Sequence, residues 1–396
     1  MTPPSIRDVK VRAIVNSGGG VAAEAELALS DGTIGRGSAP VAIKPGRRER
    51  PVTDYLRIGS PPPVDVVKVL SALPGQSHDG QDAVDAWLDG QLPVLGTDVA
   101  LAVSLAYARA AATASGRRLY GYFAALSGTE PAFPGLLAAI VSGGLHRRGH
   151  GIPFQQIMFA SERRGPGETI PLILDAYTRA ERLFEARGLL VGHSASGGML
   201  LDAADLSLPL GLLSELLDHI GTGAELSLAV DVAAEHLWTE DGYLLGERAL
   251  GPESMMERIA DLTTRYPITF VEDPFTSEDS VWWARLRARL PRHVAVVGDD
   301  LYATNSAYLD PALADGIVLK MNQVGTVSAA LRTSVRASAY GMSQCVSHRS
   351  LETEDTSVAD LAVGVAARWL KIGGPRRGDR TAKYNRLLRL EEALRA

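Results

Sequence analysis

The chain has 396 residues, 46% of them hydrophobic and 22% charged, with a formal net charge of −6. That length suits two packed units rather than one small domain, and the composition excludes a disordered chain. So mild an acidic balance gives no general attraction for nucleic acid or an anionic membrane, so any anion must be recognised by a local cluster.

The single Cys345 excludes an internal disulfide and a cysteine-built metal site, in keeping with a reducing cytosol. Within SQCVSH it reads as a packed, inert thiol. The N-terminal MTPPSIRDVK has no apolar stretch of signal type, and no run approaches the roughly 20 apolar residues of a membrane span. A cytoplasmic enzyme is the expectation.

From residue 6 to 38, VKVRAIV and AAEAELALS read as strands, with SGGG and SDGT as turn signals. Residues 39–63, rich in Pro, Gly and Arg, read as a long loop. VDVVKVLSAL and QDAVDAWLDGQL follow with helical spacing, then the strongly helix-forming VALAVSLAYARAAATASG. A small α+β unit is expected over residues 1–128, closing around SGTEPAFPG.

Over residues 129–396 the pattern changes to short apolar runs that end in polar residues: ELSLAVDV, PITFVEDP, HVAVVGDD, DGIVLKMN and SQCVSHR. Helical stretches such as SMMERIADLTTRY, SVWWARLRARL, SAALRTSVRASAY and SVADLAVGVAARWL lie between or after them. Strand, helix and strand at intervals of about 20–40 residues imply a parallel sheet. Five such runs in series favour an α/β fold of the (β/α)8-barrel type, with its active site at the C-terminal ends of the strands.

Those strand ends carry the chemistry. Asp231, Glu272 and Asp299 end or follow successive runs, and oxygen-only ligands suit a hard cation such as Mg2+. Lys320, His348 and Lys371 follow in the same way. A lysine beside a divalent cation has its pKa lowered and becomes a usable base for a weakly acidic C–H. One such residue alone is usually a helix cap or a solvated loop residue; six in series are not readily a coincidence.

VEDPF, GDDLYATN, LKMNQVGTVS, VSHRSLETEDTSVADLAVG and DRTAKYNRLLRLEEAL resemble the successive signature blocks of the enolase family. VRAIVNSGGGVAAEAELALSDG and the SLAYARAAA helix extend the likeness over nearly the whole chain. The resemblance implies an enolase-type barrel (129–396) with an N-terminal α+β cap (1–128). It implies that Asp231, Glu272 and Asp299 hold Mg2+, and that Lys320 removes the C2 proton of a 2-phosphoglycerate-like substrate. Lys371 then pairs with the substrate carboxylate, Arg349 and Ser350 match phosphate-binding positions, and His146, Gln155 and His348 match active-site positions. The resemblance further implies a homodimer or higher homo-oligomer in which Glu24 and Arg389 pair across the interface.

Three departures stand out. The family's Gln-Glu after GGSHAG becomes Gln155-Gln156, and its GDEGG becomes GHSASGG, with Ser196 or a neighbour in Ser194–Gly198 at the glutamate's place. An amide cannot protonate a leaving hydroxide, and a serine hydroxyl is far too weakly acidic. The family's SGASTG loop, whose serine helps hold a second Mg2+, becomes VAIKPGRRER. Lys44 falls at or near that serine and is read as a contact to the phosphoryl group or to an extra anionic group. Arg47, Arg48 and Arg50 read as a solvated charge run. His146, His150 and His193 are candidate replacement proton donors, although each more often serves structure or anion binding.

Three readings follow. The first is an enolase-like dehydratase for a phospho- or phosphono-glycerate analogue, as in the phosphinothricin route, where a phosphonoformyl-glycerate becomes carboxyphosphonoenolpyruvate. The second is a divergent but genuine 2-phosphoglycerate dehydratase. The third is a non-catalytic binding or scaffold protein on an enolase body.

Overall fold

The computed structural model describes residues 4–74, 79–146, 151–221 and 225–395. Strands β1 (Ile6–Val15), β2 (Val21–Leu29) and β3 (Ile34–Ala39) form an antiparallel sheet in that order. Helices α1 (Val64–Ala72), α2 (Gln81–Ala114) and α3 (Leu119–Ser127) follow. On β2 the alternation places Ala23, Ala25 and Leu27 inside, while Glu24 and Glu26 pair with Arg12 and Arg36 on the other face. A Cβ at Gly35 would overlap Ala106 O of α2, and one at Gly37 would lie 2.7 Å from Ala102 O. The alanine-rich helix and the glycine-bearing strand are therefore matched, because only small residues let two backbones approach so closely.

α2 bends where Pro93 lacks a donor and Gly96 takes φ 69°. Contrary to expectation, α2 is long and apolar enough, by length and composition, to cross a membrane. Yet 83% of its apolar window is buried inside the protein, and a helix apolar on all sides is what a core position requires.

The remaining elements are β4 (Gly135–Ser142), β5 (Gln156–Ser161), α4 (Pro166–Ala186), β6 (Leu190–His193), β7 (Met199–Leu201), α5 (Ser207–Ile220) and β8 (Leu226–Asp231). A small sheet of β9 (Trp238–Thr239), β10 (Gly242–Leu245) and β11 (Arg248–Leu250) leads to α6 (Pro252–Arg265) and β12 (Ile268–Glu272). Then come α7 (Ser280–Arg289), β13 (Ala295–Gly298), β14 (Gly316–Leu319), α8 (Met321–Val324) and α9 (Val327–Ala339). β15 (Ser343–Ser347), α10 (Ser357–Gly364), β16 (Trp369–Lys371) and α11 (Gly378–Arg395) complete the chain.

Strands β4, β5, β8, β12, β13, β14, β15 and β16 pair in turn, and β16 returns to β4 to close the barrel. Two expectations need correction. The barrel is not wholly parallel, because β5 runs antiparallel to both neighbours. The described residues of the β4–β5 link hold a short 3-10 turn, Gly144–His146, and no crossover helix, so the chain simply turns back. RWLK is also not a helix end: Trp369–Lys371 is the closing strand. Inside the barrel Leu137, Met158, Phe270, Val318, Cys345 and Trp369 form a separate core, with Phe270 and Trp369 edge to face at 5.1 Å. Burial pushes the Cys345 thiol up, which suits an inert packed residue.

The cap is clasped to the barrel by Arg109 of α2, whose Nη1 and Nη2 donate to Asp355 at 2.6 and 2.7 Å. Asp355 also accepts from the Ser38 amide of β3 at 3.0 Å. Burial alone would raise the Asp355 carboxyl, but Arg109 and Ser357 hold it well below the usual carboxylate range. Asp355→Ala is expected to cost about 3–5 kcal/mol in chemical denaturation, since it strands a largely buried guanidinium. With the folded pKa depressed, the stabilisation is full above the unfolded value and fades as pH falls through the folded one. The variant should therefore lose less stability than the parent between about pH 5 and 2; an equal acid loss would mean that the clasp is not ionic.

Candidate active site

One register row runs round the barrel mouth. Ser142 of β4 lies opposite Gln156 of β5, Gln156 opposite Asp231 of β8, and Asp231 opposite Glu272 of β12. Because β5 is reversed, its first residue, not its last, reaches this rim. Asp299 and Lys320 directly follow β13 and β14, His348 follows β15, and Lys371 ends β16. Asp231, Asp299, Lys320, His348, Arg349, Ser350 and Lys371 line one cleft, together with Lys44, Gln155 and Gln156.

The charges neutralise one another. Lys371 Nζ lies 2.6 Å from Asp231 Oδ2 and 2.7 Å from Glu272 Oε2. Burial disfavours that ammonium, but Asp231 and Glu272 outweigh it and hold Lys371 above its ordinary range. Lys320 Nζ pairs with Asp299 Oδ2. Burial pulls the Lys320 ammonium down, but Asp299 turns the net shift upward.

His348 is driven well below the usual histidine range by burial and by Arg380. Arg380 Nη1 donates to His348 Nδ1, so the neutral ring carries its proton on Nε2. Arg380, fully buried on α11, also donates to Arg349 O (2.8 Å) and Ser350 O (2.7 Å). Lys383 Nζ pairs with Glu352 at 3.0 Å, and Glu352 accepts the Arg349 amide at 2.8 Å. The terminal DRTAKYNR segment thus acts as a brace for the His348–Ser350 turn, a role that its sequence did not disclose.

The wall on the β4–β5 side is neutral. Ser142 Oγ lies 2.8 Å from Ser194 Oγ, Ser194 Oγ lies 2.9 Å from Ser196 Oγ, and Gln156 Nε2 donates to Ser196 Oγ at 3.3 Å. Gln156 Oε1 is buried without a partner among the described residues. Gln155 Nε2 donates to Asp231 Oδ2 at 3.1 Å.

The segment between β3 and α1 crosses the mouth as a strap. Val41 and Leu351 exchange backbone bonds at 2.9 and 3.0 Å, and the Arg50 amide donates to Gln323 O at 3.3 Å. Of the arginines expected to form a solvated run, Arg47 and Arg50 are exposed, and Arg48 is the partly buried exception. Arg48 donates to Leu301 O (2.6 Å) and stacks over Tyr308 at 4.9 Å, Arg47 faces Glu235 at 3.5 Å, and Arg50 reaches Asp89 at 3.2 Å. Lys44 is exposed and borders the cleft. Sequence reasoning missed Glu49, which enters the cleft and pairs with Arg349 Nη2 at 2.9 Å. It also missed His236 on the rim, whose Nδ1 is unpartnered among the described residues and whose pKa is lowered by burial and Lys44.

Of the candidate proton donors, His193 is corrected: its Nε2 lies 2.9 Å from Glu181 of α4, and it does not line this cleft. The side chain of His146 and all of His150 lie outside the described residues.

Two carboxylate sets could hold a cation. Asp273, Asp299 and Asp300 have oxygens within 4.8 Å of one another. However, both Asp273 oxygens already accept backbone amides, from Asp299 and Asp300 at 2.8 Å each. Asp231 and Glu272 instead share a point already filled by an ammonium, and Asp299 holds another. The set expected from the sequence, Asp231, Glu272 and Asp299, is buried and each member is paired with a lysine ammonium, while Asp273, Asp299 and Asp300 are the carboxylates whose oxygens gather most closely; Asp299 belongs to both.

A family model described as Enolase, C-terminal TIM barrel domain, matches residues 131–396. A full-length relative, the enolase of Mycobacteroides abscessus, is 34% identical over 413 aligned positions that cover 99% of this chain and 95% of that protein. A closed barrel with one reversed strand, capped by a small sheet and helices, is the frame of an enolase-type lyase. The chain belongs to the enolase family. Asp299→Asn is expected to weaken Mg2+ binding by at least about tenfold in calorimetry, because an amide replaces an anionic ligand. Unchanged affinity would put the ion elsewhere.

Proposed function

We propose that the chain is a Mg2+-dependent dehydratase that removes the proton α to the carboxylate of a 2-phosphoglycerate-like substrate. Its preferred substrate is a phosphonate analogue such as 2-phosphonoformylglycerate, which would give carboxyphosphonoenolpyruvate. Lys320 takes the proton, Lys371 pairs with the substrate carboxylate, and Arg349 with Ser350 holds the phosphoryl or phosphonyl group. A divalent ion on Asp231, Glu272 and Asp299 would supply the positive charge that a carboxylate dianion demands. By occupying Asp299 it would also free Lys320 from the partner that keeps it protonated.

The observation that supports the phosphonate reading is the neutral side of the cleft at Gln156 and Ser196, backed by Ser142 and Ser194. A substrate with an additional carboxylate meets hydroxyls and an amide there, where carboxylates would repel it. Full-length likeness to a protein named enolase favours a second reading, in which 2-phosphoglycerate itself is the substrate and phosphoenolpyruvate the product. Buried lysines held on carboxylates argue against a scaffold without chemistry, since such charges are costly to bury.

Steady-state assays of 2-phosphoglycerate and a phosphonoformyl-glycerate, side by side with Mg2+, distinguish the two readings. Loss of a general acid should leave 2-phosphoglycerate turnover about 10²–10⁴ below that of a typical enolase, with the larger substrate restoring it. Efficient 2-phosphoglycerate dehydration, with no gain on the larger substrate, would return the chain to plain enolase activity.

We also propose a homodimer or higher homo-oligomer, with exposed Arg389 of α11 joining Glu24, which already pairs with Arg12 at 3.3 Å. Light scattering at micromolar concentration should give at least twice the chain mass, and a monomer would refute this.

A further inference from the structure

We propose that Glu49 is a built-in competitor for the anion subsite at Arg349, so that a phosphoryl or phosphonyl group enters by displacing a carboxylate of the protein's own strap. The inference rests on the reading of Arg349 as the group that receives that anion.

The two partners differ in how they are held. Arg349 is fixed from behind: its amide donates to Glu352 Oε1 at 2.8 Å, and its carbonyl accepts from Arg380 Nη1 at 2.8 Å. Glu49 stands on the strap, a surface segment tethered by backbone bonds at Val41 and Arg50. Its Oε1 accepts from Arg349 Nη2 at 2.9 Å, from the Gly46 amide at 3.0 Å and from Gln323 Nε2 at 3.4 Å. The side chains of Arg349 and Glu49 are only 5% and 6% exposed. A carboxylate on a surface segment does not ordinarily bury itself; here it is, among the described residues, the one carboxylate paired directly with the buried Arg349 guanidinium.

Asp299 and Asp300 border the same cleft. An arriving anion therefore cannot share Arg349 with Glu49, because three carboxylates and the anion would crowd one guanidinium. The anion exchanges with Glu49, whose carboxylate leaves for solvent while the charge of Arg349 stays compensated throughout. Ligand affinity at this subsite is thus the difference between the incoming anion and the resident carboxylate. A ligand that offers no more than one carboxylate gains nothing by the exchange, so Glu49 favours anions with more oxygens and more charge.

The test is calorimetric titration of the Mg2+-loaded full chain with inorganic phosphate. Glu49→Gln, which keeps the shape and an acceptor but removes the charge, is expected to tighten phosphate by about tenfold or more. Glu49→Ala should do the same, and adding Arg349→Gln to either should abolish the gain. Unchanged phosphate affinity in both Glu49 variants, while Arg349→Gln still weakens binding, would overturn the competitor role and leave the anion subsite standing. Phosphate binding that is indifferent to Arg349 in every background would overturn the subsite reading and the competitor with it.

Discussion

The structure turns on the mutual neutralisation of charges buried at the barrel mouth. Asp231, Glu272, Asp299, Arg349 and Lys371 are nearly inaccessible, and Lys320 is little more exposed. Taking one such ion out of water unpaired costs several kcal/mol, so each must find its opposite at close range. Lys371 does so on Asp231 and Glu272, Lys320 on Asp299, and Arg349 on Glu49. Every pairing uses a group that the proposed chemistry would claim for something else. In the proposed function these would be exchangeable partners: the carboxylates of Asp231, Glu272 and Asp299 would hold a divalent ion where they now hold ammonium groups, and Arg349 would hold a substrate anion where it now holds Glu49. Barrel register makes this possible, by bringing Gln156, Asp231 and Glu272 side by side on adjacent strands.

Opposite this charged half stands a wall that needs no counter-ion. Three serine hydroxyls and an amide satisfy one another there, with one amide oxygen left over. Such a wall can donate and accept hydrogen bonds but cannot protonate a leaving group. A Cβ at Gly198 would overlap Ser142 Oγ, which shows how tightly the SASGG turn is seated against β4. The asymmetry between the charged and neutral halves is the basis for reading the substrate as something other than the simplest member of its class.

Much of this was legible in the sequence. The carboxylates and lysines were visible because each closes an apolar run, and a barrel delivers such ends to one rim. The loss of acid at Gln156 and in the Ser194–Gly198 turn was visible as a departure from a known pattern. Other parts were hidden for physical reasons. The three-residue β16 is too short for any periodicity, and the reversal of β5 depends on a link whose length alone does not specify direction. No span was expected, yet α2 has the length and composition of one, because a wholly buried core helix and a lipid-facing one share the same composition. Glu49 and the strap arginines were hidden because their partners, such as Arg349 and Asp89, lie far away in sequence and meet them only in the folded chain.

In the proposed function the proton-abstracting half of the site is complete, while the half that should protonate the leaving group is not. The most direct test is the reaction of 2-phosphoglycerate with Mg2+ in deuterium oxide, following C2 exchange and product formation in the same sample. Deuterium is expected to enter the substrate faster than the elimination product accumulates, and Lys320→Ala is expected to abolish the exchange. Elimination that keeps pace with proton removal, or exchange that survives without Lys320, would contradict this reading.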